Sequence, residues 1–419
     1  MATVHPSLQN QELKECVALL KAYAKKKDLK KGISLHEDIV KKGLLQINPF
    51  LLGSSLVSMY AKCGSLDKAQ IMLHELSVRD TVTWCELISG YTHQRQGHQA
   101  FDCFYRMQNE GTSPDSITFI CILKACGSMG YLHKGQQIHS EIVNNGMLGK
   151  STILGTSLMD MYAKCGDLRK AQEVFNEVPI HDVVSWTALM VGHVQHDHIH
   201  GALECFERMQ CESVAPNEVA FTCVLKACSS TRANDKGLRI HAMIVKDGLP
   251  GEKQNSIGNA LVDMYAKLGA LVKAQQVFNT LQVHDVVSWN ALMTGYNHFG
   301  EIENVFHLFD KMLEEGTEPD SVTFIVILNA CSRMGLWYKG EMYFQAMTKD
   351  YGIIPIIDHH ACMIDLLSRA GQLDKAYGMI EKLPICPNVV VWHTILGACK
   401  SFYIFREDQS WGYGERLVH

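Results

Sequence analysis

What this 419-residue chain lacks narrows its reading before any motif is considered. No two of its 15 cysteines stand three apart, so no C-x-x-C pair exists, and the common zinc-ribbon, zinc-finger and thioredoxin-like readings fall away. The cysteine count is odd and the thiols are scattered, which points to reduced cysteines in an intracellular compartment. No apolar run approaches the roughly 18 residues of a membrane span. The 32 glycines and 10 prolines sit singly, so no linker or low-complexity tract stands out. Excess positive charge is missing too. With 39 basic and 44 acidic residues the net charge is −5, and phosphate attraction could supply only part of any nucleic-acid affinity. No arginine precedes Arg79, while Glu12 and Glu15 come early, unlike an Arg- and Ser-rich presequence. There is no P-loop, no dinucleotide-binding glycine fingerprint and no H-E-x-x-H.

What the chain has is repetition. Trp84, Trp186, Trp289 and Trp392 sit in near-copies, TVTWCELISGY, DVVSWTALMVGH, DVVSWNALMTGY and VVVWHTILGAC, at intervals of 102, 103 and 103 residues. A second phrase, SLVSMYAKCGSLDKAQ and its copies, carries Gly64, Gly166, Gly269 and Gly371 at intervals of 102, 103 and 102. A third contains LKACGSMGYLHKGQQIH, LKACSSTRANDKGLRIH and LNACSRMGLWYKGEMYF. Three kinds of unit therefore alternate within one long period.

Each unit has the same interior. An apolar stripe such as Leu158, Met161 and Tyr162 is followed by a glycine, then by a second stripe such as Leu168, Ala171, Val174 and Phe175. The spacing fits a period of 3.6, not 2. Gly166 falls where the first helix must stop, and glycine tolerates the left-handed geometry of a helix end. Ala69, Ala171, Ala202, Ala274 and Ala376 are small enough for the two helices to approach closely. Pro114, Pro216 and Pro319 block continuation of the second helix. One unit is thus a helix–turn–helix of 31 to 37 residues. A single hairpin cannot bury its apolar faces, but stacked hairpins can, so the chain reads as one superhelical array with a concave inner surface.

At these residues the chain resembles the plant organellar pentatricopeptide repeat family, in the class that alternates P, L and S motifs. DVVSWNALMTGY…FHLFDKMLEEGTEPD is P-like, SITFICILKACGSMGYLHKGQQIHSEIVNNG is L-like and ILGTSLMDMYAKCGDLRKAQEVFNEVP is S-like. The register is an extension 1–12, then L 13–49, S 50–80, P 81–115, L 116–151, S 152–182, P 183–217, L 218–254, S 255–285 and P 286–320. Terminal L2- and S2-like units, 321–356 and 357–388, follow. Residues 389–399 resemble the start of an E motif, and 400–419 diverge from it. The W-x-x-L-G-x-x-Y pattern of tetratricopeptide repeats is not seen.

The resemblance implies an all-α fold, a right-handed α-solenoid superhelix of stacked helix–turn–helix repeats, whose first helices line the concave face. It implies single-stranded organellar RNA as the partner, with one repeat reading one base through its fifth and last residues. Ser54 with Asp80 and Thr156 with Asp182 then fit guanine. Thr187 with Asn217 fits adenine. Asn259 with Asp285 and Asn290 with Asp320 fit a pyrimidine, uracil favoured. Cys85 with Asp115 departs from the pattern. The L-type units present Val17, Ile120, Thr222 and Ile325 at the fifth position, mostly apolar, and are expected to read little or nothing. The implied target is 5′-G-N-N-G-A-N-Y-Y-3′. In the family, position two wedges between bases, which would be Val82, Val184 and Val287; valine is equally an ordinary core residue. Lys62, Lys164, Lys267 and Arg369 recur at position 13, where phosphate contact, capping of helix carbonyls and plain solvation are all open.

Members with terminal L2, S2 and E units typically select cytidines for C-to-U editing in mitochondria or plastids. His139-Ser-Glu141 matches only the first half of a zinc deaminase signature, H-x-E, without P-C-x-x-C. The resemblance thus implies a site-recognition factor, not an enzyme, with no cofactor or metal and no membrane, and a deaminase-bearing protein supplied in trans. The alternatives are a transcript stabilisation, splicing or translation factor, or a protein-binding scaffold. Trp84, Trp186 and Trp289 read as inter-hairpin core fillers rather than base platforms, and Cys126, Cys228 and Cys331 as small packing residues. His359-His360 reads as packing rather than metal ligation.

Overall fold

A computed structural model describes residues 6–76, 78–148, 151–246 and 255–381. The E-like stretch 389–399, the divergent tail 400–419 and the end of the S2-like unit lie outside the described residues. Among the described residues every regular element is an α-helix. The chain divides into two compact units, Met1–Pro216 and Asn217–His419.

The first unit contains α1 (Pro6–Lys26), α2 (Leu29–Lys41), a single turn α3 (Leu44–Ile47), α4 (Pro49–Lys62), α5 (Leu66–Glu75), α6 (Thr81–His93), α7 (Gly97–Asn109), α8 (Ser116–Met129), α9 (Leu132–Asn144), α10 (Thr152–Lys164), α11 (Leu168–Glu177), α12 (Val183–Gln195) and α13 (Ile199–Cys211). The second contains α14 (Glu218–Thr231), α15 (Asn234–Lys246), α16 (Asn255–Lys267), α17 (Leu271–Thr280), α18 (Val286–His298), α19 (Ile302–Glu314), α20 (Ser321–Met334), α21 (Trp337–Lys349), α22 (Ile357–Arg369) and α23 (Leu373–Glu381). First helices begin at Thr81, Ser116, Thr152, Val183, Asn255, Val286, Ser321 and Ile357, the opening residues of the units assigned from the repeat.

Local chemistry makes each hairpin. The residue before a first helix caps it: Asp115 Oδ1 accepts from the Thr118 amide at 2.8 Å and Asp285 Oδ1 from the Ser288 amide at 2.9 Å. In the S- and S2-type units the first helix stops at a left-handed glycine, φ +83° at Gly64, +86° at Gly166, +80° at Gly269 and +74° at Gly371. The residue after each glycine then donates back into the helix, as Asp167 N does to Tyr162 O at 3.1 Å, satisfying an otherwise orphaned carbonyl. Ala69, Ala171, Ala202, Ala274 and Ala376 are buried at the hairpin seams.

Stacking follows two rules. First helices pack on first helices: α1 on α4, then α6, α8, α10 and α12 in turn, and in the second unit α14 on α16, α18, α20 and α22. Close approach is allowed by glycine. A Cβ on Gly192 would lie 2.5 Å from Ala163 Cβ, and one on Gly295 2.5 Å from Ala266 Cβ. Between hairpins, Trp84, Trp186 and Trp289 are fully buried. Trp186 meets Phe175 edge-on at 4.6 Å, and Trp289 meets Phe278 in the same way. The imidazole of His181 stacks on Phe175 at 3.9 Å, and that of His284 on Phe278 at 4.1 Å. Cys126, Cys228 and Cys331 are also fully buried, and burial pushes their thiols up to about 12, 11 and 12. They are packing residues, as their recurrence suggests.

Candidate nucleic-acid interface

Helix geometry places positions two, five and nine of a first helix on one face, since residues three and four apart are neighbours. In the second unit this face forms a groove of about 610 Å³. Its walls carry Asn259 and Asp263 from α16, Val287 and Asn290 from α18, and Thr222 and Lys226 from α14. Asp320, ahead of α20, closes one side. A larger cleft of about 720 Å³ between α15, α16 and α17 is walled by side chains such as Val245, Ile257 and Leu281 and holds none of the paired residues.

Two fifth-and-last pairs meet directly. Asn259 Nδ2 donates to both carboxylate oxygens of Asp285 at 3.0 Å. Asn290 Nδ2 donates to Asp320 Oδ1 at 2.9 Å. These bonds span 26 and 30 residues, and a helix cap alone does not require them. They orient the amides: the NH₂ faces the carboxylate and Oδ1 is turned away from it. The two asparagines then differ. Asn290 Oδ1 lies 2.7 Å from the Thr323 hydroxyl, whereas Asn259 Oδ1 is a buried acceptor with no partner. The difference lies one helix on, where Ser288 turns its hydroxyl to the Asp285 carbonyl instead.

The hydroxyl pairs are held more loosely. Thr156 Oγ1 donates to the Thr152 carbonyl and lies 3.2 Å from Ser185 Oγ, which donates to Asp182 Oδ1 at 2.8 Å. The pair is thus linked through one serine. Burial raises the pKa of Asp182, but hydrogen bonds from the Ser185 amide and hydroxyl outweigh it and hold the carboxyl below its ordinary value. Ser54 Oγ bonds the Leu51 carbonyl at 3.2 Å, while Asp80 accepts from the amide and hydroxyl of Thr83. Thr187 Oγ1 bonds the carbonyls of Val183 and Val184, and Asn217 Oδ1 caps α14 at the Ala220 amide. Cys85 Sγ lies 3.7 Å from Cys121 Sγ; that contact and burial raise the Cys85 thiol, so it stays neutral.

Position two resolves in favour of exposure. Val82, Val184 and Val287 are 61%, 55% and 56% exposed, so none is a core residue. Exposure at position two extends beyond these three. Ile117, Ile153, Val219 and Val322 occupy the same register and are exposed as well. Four consecutive units, from α6 to α12, therefore present an uncovered aliphatic side chain beside the fifth position.

The position-13 cations all have carboxylate partners. Lys62 is 2.9 Å from Glu86, Lys164 2.7 Å from Asp160, Lys267 2.8 Å from Asp263 and Arg369 2.9 Å from Asp365. A phosphate there would compete with a carboxylate, although exposed pairs of this kind contribute at most about 1 kcal/mol. The histidine motifs are engaged in packing. His139 Nδ1 pairs with Tyr162 Oη at 2.9 Å, and Glu141 accepts from Gln108. His36–Tyr60 and His241–Tyr265 repeat the pairing at 2.8 and 2.7 Å. His359 is buried with its two nitrogens on the Ile356 amide and the Ser321 carbonyl.

Comparison with known proteins agrees with this architecture. The PPR repeat family signature matches residues 79–128, 181–230 and 284–333. The single PPR repeat matches 16–44, 54–80, 156–181, 259–286, 322–351 and 361–384. A pentatricopeptide repeat-containing protein of Arabidopsis thaliana is 39% identical over 370 residues, 88% of this chain and 50% of its own length. A mitochondrial one from the same plant is 35% identical over 381 residues, 91% of this chain and 55% of its own. A chloroplastic one is 34% identical over 395 residues, 88% of this chain and 73% of its own. The chain thus spans about half to three quarters of the length of these relatives. Among solved structures, the pentatricopeptide repeat protein PPR10 bound to an 18-nt psaJ RNA element superposes with a TM-score of 0.66 at 17% identity, over 93% of this chain and 62% of that one. That superposition establishes the shared helical-hairpin solenoid. By repeat signature, identity and fold, the chain belongs to the plant pentatricopeptide repeat (PPR) family.

Proposed function

We propose that this chain binds single-stranded RNA in a plant mitochondrion or plastid and reads successive bases with the first helices of its S- and P-type repeats. The pairs Asn259–Asp285 and Asn290–Asp320, whose two asparagines line one groove together with the exposed Val287, carry this reading. A single-stranded base presents a Watson–Crick edge that compact donors and acceptors can match. With its NH₂ held by Asp285, Asn259 offers only Oδ1. Uracil N3–H can donate to it; cytosine N3 would oppose it lone pair to lone pair. An unpaired buried acceptor costs about 1–3 kcal/mol, so uracil is preferred there by about tenfold. The exposed aliphatics at position two fill the spaces between bases and keep them apart.

The relatives named mitochondrial and chloroplastic support the organellar location, and PPR10, named as an RNA complex, supports the ligand class. The alternation of L, S and P units supports a narrower role, selection of a cytidine for C-to-U editing with the deaminase supplied by another protein. Sequencing organellar transcripts after disruption of the gene tests that role. Loss of one C-to-U event supports it. Intact editing with altered transcript ends or splicing replaces it with transcript maintenance.

A further inference from the structure

Within the groove, Lys226 differs from the carboxylate-paired cations at position 13 of the first helices. It lies at position nine of α14, two turns after Val219 and one after Thr222, on the face that carries Asn259 and Asn290. It is exposed and makes no ion pair among the described residues. The acidic groups lining the same groove are already engaged: Asp263 with Lys267 at 2.8 Å, and Asp320 with the Thr323 amide and Asn290. The same register in the two earlier L-type units holds Lys124 on α8 and Lys21 on α1, at intervals of 102 and 103 residues. Both are exposed and without an ion pair among the described residues. In S- and P-type units position nine is Ser58, Ser89, Asp160, Val191, Asp263 or Thr294, with no cation among them.

These lysines sit in the units whose fifth residue is Val17, Ile120 or Thr222, mostly apolar side chains. The chain's net charge is −5, yet an unpaired cation returns once in every three repeats on the reading face of the first three L-type units; the terminal L2-like unit has Asn329 there. We infer that the L-type repeats are backbone clamps: Lys21, Lys124 and Lys226 each bind an RNA phosphodiester, so that the intervening S- and P-type repeats can address two bases held between fixed phosphates. An ammonium at position nine reaches past the base-reading turn toward the sugar-phosphate strand. It acts on any sequence alike, since phosphates carry no sequence information. The inference rests on the RNA-binding function proposed above.

The test uses the full chain and an RNA oligomer carrying G-N-N-G-A-N-U-U with an extra nucleotide on its 5′ side, with affinity measured against salt. Each lost phosphate contact on a single strand lowers the slope of log K against log salt by about 0.7. The triple variant Lys21→Gln, Lys124→Gln, Lys226→Gln is expected to lose about two units of slope, and to keep the wild-type ratio of matched to scrambled RNA. A control triple with the same charge change on second helices, Lys30→Gln, Lys41→Gln, Lys246→Gln, is expected to keep the wild-type slope. A wild-type chain that discriminates the matched RNA while the position-nine triple retains the full slope overturns the clamp alone. Equal losses in both triples overturn it too, since bulk charge then accounts for the effect. A wild-type chain with no preference for the matched RNA overturns the base-reading function itself.

Discussion

At the scale of the residue, one side chain performs two tasks. Asp285 caps α18 of the following unit through the Ser288 amide and holds Asn259 of its own unit. The sequence offers only the presence of Asp at the end of a unit, and capping alone would select the same residue. What separates the roles is the long-range bond to the asparagine, which depends on stacking and is therefore invisible along the chain. Asn259→Ser would place at this repeat the same serine and aspartate that Ser54 and Asp80 supply at the fifth and last positions of the first S-type unit. The expected result is a change in the preferred base from uracil to guanine at one nucleotide only, with thermal stability nearly unchanged. Binding to RNAs that vary at that nucleotide measures it. The exposed aliphatics teach the same lesson. Ile117 and Ile153 look like core residues in an amphipathic pattern, and only the packing of neighbouring hairpins leaves them uncovered.

At the scale of the element, most of the fold was legible. The 3.6-residue stripes and the left-handed glycines are local signals that mark where the helices lie and where S-type first helices end. The prolines do not end the second helices, since α7, α13 and α19 already stop at Asn109, Cys211 and Glu314, ahead of the left-handed residues Gly111, Ser213 and Gly316. The fully buried tryptophans also follow from their recurrence. Trp289→Ala removes a large, fully buried side chain packed edge-on against Phe278 of the preceding hairpin, and should destabilise the fold by about 3–5 kcal/mol. A lowered urea midpoint at unchanged m-value is the expected reading. The close approach of first helices was not legible, because nothing local distinguishes Gly192 or Gly295 from other glycines. Gly192→Val would drive a methyl-bearing carbon into Ala163 across the α10–α12 seam. Overpacking of this kind costs about 1–3 kcal/mol, visible as a lower Tm.

At the scale of the whole molecule, repeated small devices add up. His36, His139 and His241 lie between an L-type second helix and an S-type first helix, each against a tyrosine hydroxyl. Burial lowers all three pKa values below the ordinary 6.5. The folded chain therefore holds these protons less tightly than the unfolded chain. Stability is full above pH 6.5 and falls as the pH drops from there toward the lowered folded values. Urea midpoints taken on either side of that window should show the loss, and His→Gln variants at the three sites should reduce it.

The central claim is that paired polar residues on stacked first helices read RNA in order, and competition binding tests it most directly. Full-length chain is mixed with labelled 5′-G-N-N-G-A-N-U-U-3′ and challenged with the same bases in scrambled order. The account predicts that the scrambled RNA competes at least tenfold less well, with single substitutions costing most at the nucleotides facing Thr156, Thr187, Asn259 and Asn290. Equal competition by the two RNAs would contradict it.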